Sequence, residues 1–319
     1  MLKKKALKKI LITSLTLLML ICFYLIPGEE DDLSKNMKIE YVSGMGNNNI
    51  YLLNDDNYLV KKSILLTEKN KKDQALKVID ELTCKNKKTD NKLKCIIPQK
   101  TKVIELDIID NEVTINFSKE LLNIQNDLQT RLIESIVYSL TEINGINSVK
   151  INVENKQLET YPNSKEKLEN PLTRSIGINK KYNISNRNNI NKVVIYYIEK
   201  IDDVNHYVPV TKYLNDDREK IKIIVDELAS SYIYEPNLMS FLNNKTELLS
   251  YNIDEGVLFL DFNDKLYNSN NKILEEVIYT LGYSVFENYD VKSFVVSVNG
   301  NKKQTITEEN LSKRILNNK

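Results

Sequence analysis

The 319-residue chain sets 45 lysines and arginines against 44 aspartates and glutamates, a formal net charge of +1, and holds one histidine and three cysteines. Interspersed charges of both signs lack the basic stripe that nucleic-acid binding needs and read as solvated faces. A zinc centre or a Ser-His-Asp triad would rest on His206 alone, and no HExxH, GxSxG or phosphate-binding loop occurs.

The first elements are targeting signals. Lys3, Lys4, Lys5, Lys8 and Lys9 precede an uncharged run over 10–26, and Glu29, Glu30, Asp31 and Asp32 follow it. This asymmetry predicts a span with its N-terminus cytoplasmic and the bulk of the chain extracytoplasmic. The run is short for a span, which needs about 17–25 residues, so a cleaved signal peptide is the rival reading. Phe23-Tyr24-Leu25-Ile26 offers no small-residue cleavage site, and Ile21 before Cys22 is bulky where a lipidation signal needs a small residue. An uncleaved anchor over 1–27 is therefore expected, with 28–46 as spacer. Residues 1–27 hold five of the 45 basic residues and none of the acidic ones, so the remainder carries 40 against 44, a balance of −4.

A first domain is expected over 47–155. Ile50–Leu53 and Tyr58–Val60 read as an opening strand pair. Asp73–Cys84 places Ala75, Leu76, Ile79 and Leu82 on one helical face. Lys102–Ile108 and Val113–Phe117 flank Asp110-Asn111, which is hairpin chemistry. Asp127–Ile143 is apolar at helical spacing, and Val149–Val153 alternates like a half-buried strand. Residues 156–191, with Pro162, Pro171 and many Asn and Lys, read as a linker.

A second domain over 192–302 gives the same order. Val193–Ile198 and Tyr207–Val210 open it. Asp217–Ala229 is a helix, Leu248–Asn252 and Val257–Phe262 a hairpin, Ile273–Phe286 a helix and Lys292–Val298 a strand. Residues 303–319 are a tail in which Glu308–Leu316 could form a helix. The fold class is α+β: two tandem small domains, each a mainly antiparallel sheet with two helices on one face.

The second domain repeats the first in words as well as in order. Val78–Leu82 returns as Ile224–Leu228 at an offset of 146. Lys100–Ile104 returns as Lys245–Leu249 and Ile115–Ser118 as Leu260–Asn263, both at 145. Glu134–Leu140 aligns with Glu275–Leu281 at 141. Ordered blocks at a near-constant long offset mean a duplicated domain. These blocks, with Asp80-Glu81-Leu82, Ile97-Pro98, Asn116-Phe117-Ser118, Ser139–Glu142, Asp261-Phe262 and Val298-Asn299-Gly300, resemble the GerM domain family of sporulation and spore germination proteins. Asn243 stands where Pro98 does. The resemblance implies a non-catalytic envelope protein of the sporulation or germination apparatus, with protein partners and a capacity for homo-oligomerisation. Its alternative is a module binding peptidoglycan or serving a wall enzyme.

The residues offer little chemistry of their own. Asp80-Glu81 and Asp226-Glu227 are adjacent on helices and point to different faces, unlike a paired-acid site. Asn116 and Asp261 suit turns, where they accept from backbone amides. Tyr138 and Tyr279 read as partly buried helix residues, a partner contact being the rival. No cofactor, metal or catalytic set is expected. Cys84 and Cys95 flank a polar loop, and in an exported domain they suggest a disulfide. Two free thiols remain the other reading, and Ser230 replaces Cys84 in the second copy.

Overall fold

The computed structural model describes residues 46–84, 92–230, 233–234 and 237–311. The anchor expected over 10–26 lies outside them. Among the described residues no helix is long and apolar enough to cross a membrane.

Copy one opens with β1 (Gly46–Leu53) and β2 (Leu59–Leu66) and continues with helix α1 (Lys71–Thr83). Asn70 caps α1: its Oδ1 accepts from the Asp73 amide at 2.8 Å, which starts the helix two residues before the periodicity does. Ala75, Val78, Ile79 and Leu82 are its buried face. Strands β3 (Val103–Ile109) and β4 (Glu112–Phe117) turn through Asp110 and Asn111, both at positive φ, as a two-residue hairpin of the primed type requires. Helix α2 (Gln129–Leu140) crosses over to β5 (Ser148–Val153), which runs parallel to β4, and β6 (Lys156–Gln157) closes the sheet.

Between the copies lies β7 (Lys181–Asn183). Copy two repeats the plan. It has β8 (Ile190–Ile201), β9 (Val204–Asn215) and helix α3 (Lys220–Ser230), then the short strands β10 (Ile233–Tyr234) and β11 (Leu238–Met239). Hairpin β12 (Leu248–Asp254) and β13 (Val257–Phe262) leads to helix α4 (Glu275–Asn288), β14 (Ser293–Val298) and β15 (Asn301–Thr307). Strand β15 runs into residues that composition assigns to the tail. Only Ile306 within it is buried, so the strand shows no apolar alternation to read. The tail then begins a helical turn at Glu308, and Leu311 is buried against α4. Gly282 makes room for it, since a Cβ there would meet Leu311 Cδ1 at 2.6 Å.

Three sheets result. Two are four-stranded, in the orders β3-β4-β5-β6 and β12-β13-β14-β15. The third, β1-β2-β9-β8-β11-β10 with β7 against β9, draws its strands from both copies. The two opening hairpins thus share one sheet, joined where Lys61 of β2 faces Tyr207 of β9. In copy one, α1 packs on β1 and β3 and α2 on β1 and β5; in copy two, α3 and α4 pack on β8. Residues 156–191 build no core of their own, but their apolar side chains Tyr161, Leu172, Ile176 and Ile178 are buried in the common one.

Candidate functional site: the junction of the two copies

Positions 145 residues apart touch one another. Tyr51 and Tyr196 meet hydroxyl to hydroxyl at 3.3 Å, and Asn54 Nδ2 donates to Glu199 Oε2 at 2.7 Å. A residue meets its own counterpart only at a two-fold axis, so the copies are arranged like a symmetric dimer within one chain. Each side is fastened alike. The Tyr51 amide donates to Ser139 Oγ at 3.0 Å, and the Tyr196 amide to Ser284 Oγ at 2.9 Å. The Tyr51 ring meets Tyr138 at 5.6 Å, and Tyr196 meets Tyr283 at 5.2 Å. These pairings correct the sequence alignment of the second helices. Tyr138 and Ser139 correspond to Tyr283 and Ser284, one turn beyond the Tyr279 and Thr280 that the offset of 141 selects.

Arg174 sits at this junction. Its guanidinium donates to Glu142 Oε1 at 2.7 Å, to Glu287 Oε2 at 2.6 Å and to Thr141 Oγ1 at 2.9 Å. One cation therefore holds the equivalent carboxylates of both copies, Glu142 just past the end of α2 and Glu287 in the last turn of α4. Tyr51 Oη donates to Glu142 at 2.8 Å and Tyr196 Oη to Glu287 at 3.3 Å. Burial keeps both phenols neutral by pushing their pKa up, so they remain donors. Asn49 Nδ2 donates to Glu142 at 2.7 Å, and the Lys61 ammonium lies 3.5 Å from the same carboxylate and 4.2 Å from the Tyr283 ring centre. Burial alone would raise the Glu142 pKa. Lys61, Arg174 and the hydrogen bonds from Arg174 and Asn49 outweigh it and lower it to about 2. Burial would likewise lower Arg174, but Glu287 and Glu142 raise it, so the guanidinium stays charged. Glu199 shows the opposite balance: burial, opposed only by the hydrogen bond from Asn54, raises its pKa.

A second buried polar group bridges the hairpins. Pro209 on β9 has no N–H to offer β2, so the strand ladder cannot continue there. Asn179, fully buried, fills the gap. Its Oδ1 accepts from the Leu59 amide at 2.9 Å, and its Nδ2 donates to the Leu59 carbonyl at 2.9 Å and the Pro209 carbonyl at 2.7 Å. The Asn179 amide donates to buried Glu134 at 3.0 Å, which also accepts from Arg131 at 2.8 Å and lies 3.4 Å from Lys180. Arg174 and Asn179 both come from the segment that reads as a linker. Glu142 belongs to a family block, and a constant offset of 145 would have paired it with Glu287.

The residues singled out in the sequence do not converge. Cys84 and Cys95 face each other with Cα atoms 5.9 Å apart, a separation a disulfide spans. Glu81 pairs with Lys77 at 3.0 Å, Glu227 with buried Lys212, and Asp226 with Arg218. Asn116 Oδ1 accepts from the Asn155 amide at 3.0 Å and Asp261 Oδ1 from the Gly300 amide at 2.9 Å, the same turn contact in both copies. Tyr138 donates to the Arg174 carbonyl at 3.1 Å, while the Tyr279 ring is tilted against Tyr207 at 5.3 Å and stacks with Tyr283 at 6.0 Å. His206 lines a recess of about 310 Å³ with Lys61, Tyr207 and Tyr283. A larger recess of about 490 Å³ is lined by Asp55, Asp56, Glu199 and Lys200. Each of these is matched inside the protein: Asp55 by Lys94, Asp56 by Asn237, Glu199 by Asn54 and Lys200 by Asp203.

The profile of the Germane family, sporulation and spore germination, matches residues 49–159 and 194–304. The chain belongs to this family. Both bounds of the match repeat at the spacing that separates Tyr51 from Tyr196. Over 289 residues the chain is 26% identical to the spore germination protein GerM of Bacillus subtilis (strain 168), covering 88% of this chain and 78% of that protein. The solved tandem GerMN domains of the sporulation protein GerM from Bacillus subtilis share its fold, with a TM-score of 0.74 and 23% identity, over 82% of this chain and 96% of that one.

Proposed function

We propose that this Germane-family protein acts in sporulation or spore germination as a non-catalytic, membrane-anchored extracytoplasmic protein that works through contacts with other envelope proteins. The similarity to GerM supports the sporulation-related role. The charge pattern around residues 10–26 supports the anchor and its orientation. The observation that carries the interaction reading is the use made of the repeated residues. Tyr51 and Tyr196, Ser139 and Ser284, Glu142 and Glu287, and Asn116 and Asp261 all spend their polar groups on internal bonds. What the duplication repeats is a scaffold, and the product is one body with two equivalent halves to present.

The experiment is the yield of heat-resistant spores from a strain lacking the protein, counted beside viable vegetative cells. A large drop in spores or in their germination with normal growth is expected. Normal spores that germinate normally would overturn the role. Sedimentation with purified peptidoglycan checks the mode: co-sedimentation that persists at high salt would replace protein contact with wall binding.

A further inference from the structure

Each four-stranded sheet has two edges, and the two differ in kind. On one edge, β6 carries Lys156 and β15 carries Lys302 and Lys303. Lysine on an edge strand is a common guard against pairing with another chain. The opposite edges, β3 (Val-Ile-Glu-Leu-Asp-Ile-Ile) and β12 (Leu-Leu-Ser-Tyr-Asn-Ile-Asp), contain no lysine, arginine or proline. In a chain where 45 of 319 residues are basic, both edge strands without a basic residue fall at the same place in the two copies.

The equivalence extends to detail. Both strands carry a register shift at one position, Ile104 in β3 and Leu249 in β12, and both of these residues are 50% exposed. Ile109 is 71% and Ile253 49% exposed at the turn ends of the strands. In a two-residue hairpin the residues flanking the turn exchange hydrogen bonds with each other, so the next residues turn their amides and carbonyls outward. Here Ile109 faces Glu112 and Asp254 faces Val257. The outward backbone groups therefore belong to Leu106 and Ile108 in β3 and to Tyr251 and Ile253 in β12. Among the described residues, β3 pairs only with β4, and β12 only with β13. The side chains between the apolar positions are acidic or neutral: Glu105 and Asp107 on β3, Asn252 and Asp254 on β12, with Asp110 and Glu255 in the turns. Lys72 reaches Asp107 at 3.2 Å, and Lys222 lies over the Tyr251 ring at 5.6 Å.

We infer that β3 and β12 are two equivalent docking edges, each adding as a further strand an extended segment of a partner protein in which basic residues alternate with apolar ones. Backbone bonds to the outward amides would hold the strand. Its basic residues would lie beside Glu105 on β3 or Asp254 on β12, and its apolar ones beside Leu106 and Ile108, or Tyr251 and Ile253. The pseudo-two-fold arrangement makes the chain bivalent, so one molecule links two partner segments.

This inference rests on the interaction reading above and names its surface and partner. The test uses the full chain in detergent micelles with a short fluorescent peptide of alternating lysine and valine, and a glutamate–valine peptide as control. Two lysine peptides should bind per chain. Glu105→Lys and Asn252→Lys, both at exposed positions, should each remove one site, and the double variant both, with an unchanged circular dichroism spectrum. Binding that survives in the double variant, equal binding of the control, or no binding at about 1 mM peptide overturns the inference. Self-association of the chain that the same substitutions abolish also overturns it, because the occupant is then a second copy. The two readings fail separately. Normal spores from the deletion strain sink the role, whereas a spore defect fully restored by the double variant sinks only the edges.

Discussion

The two copies agree at the centre of their junction, although Asn54 of one meets Glu199 of the other, and they diverge on the outer face of the small sheets. At the junction, tyrosine faces tyrosine, serine takes the same amide, and glutamate binds the same arginine. On the outer face of the small sheets, Lys150 of copy one pairs with Glu112 at 2.6 Å. The matching positions in copy two are Val295 and Val257, beside a 41% exposed Phe259. The partly exposed ion pair contributes at most about 1 kcal/mol, so the sheet loses little where copy two places Val257 and the buried Val295 instead. At a pseudo-dyad each group has its own counterpart as neighbour, and a change on one side leaves a buried partner unmatched on the other. Drift is therefore tolerated at the periphery, while at the axis a change has to be matched by the partner, as Asn54 matches Glu199.

The largest effect should come from removing the group both copies share. Arg174→Ala leaves Glu142 and Glu287 without their common cation in a site where Lys61 faces only the first. Breaking a buried pair in this way costs about 3–5 kcal/mol. Arg174→Lys should lose less, keeping the charge but not the fork. Urea unfolding followed by circular dichroism measures both. A loss below about 0.5 kcal/mol for Arg174→Ala would mean that the copies do not depend on this cation.

The pH dependence sharpens the contrast between two of the buried carboxylates at the junction, Glu142 and Glu199. Glu142 has its pKa lowered to about 2, so its contribution is present above the unfolded value near 4.5 and is lost as pH falls towards 2. That shift corresponds to about 3 kcal/mol. Glu199 is raised by burial, so its sign is opposite: its contribution is present at low pH and lost as pH rises through the folded value. Glu142→Gln should flatten the acid limb of a stability–pH curve, and Glu199→Gln should leave that limb in place. Equal acid limbs in wild type and Glu142→Gln would refute the assignment.

Much of this architecture is legible in the residues, and the parts that are not share a cause. Hairpins and helices follow from local chemistry: Asp110-Asn111 at a primed turn and apolar faces on α1 and α3, while the Asn70 cap that starts α1 appears only in the structure. The duplication is legible too, but its second helix is read one turn out of phase. A four-residue slip keeps the same face of a helix buried, so the apolar pattern cannot distinguish 141 from 145; the serine bonds and ring contacts to Tyr51 and Tyr196 and the shared Arg174 do. The joining of β2 to β9 leaves no local mark, because Lys61 and Tyr207 look like ordinary strand residues. Arg174 and Asn179 are hidden by composition. A buried polar side chain satisfied by distant partners has the same letter as a solvated one, and both sit in an Asn- and Lys-rich stretch that reads as linker.

The smallest of these effects tests a difference between the copies. Cys84 ends α1 in the left-handed conformation, opposite Cys95, while copy two has Ser230 at the corresponding helix end. If the sulfurs are bonded in the native protein, the link closes a loop of 11 in sequence separation and restricts the unfolded chain by about 2–3 kcal/mol. The Cys84→Ser, Cys95→Ser variant should lose that amount. A reductant should produce the same loss in the wild type and none in the variant. Thiol counting on protein taken from cells decides the premise. Free thiols together with a neutral double substitution would show that copy one, like copy two, needs no staple. A bonded pair with the expected loss would make the region following α1 the one place where the first half is reinforced independently of its partner.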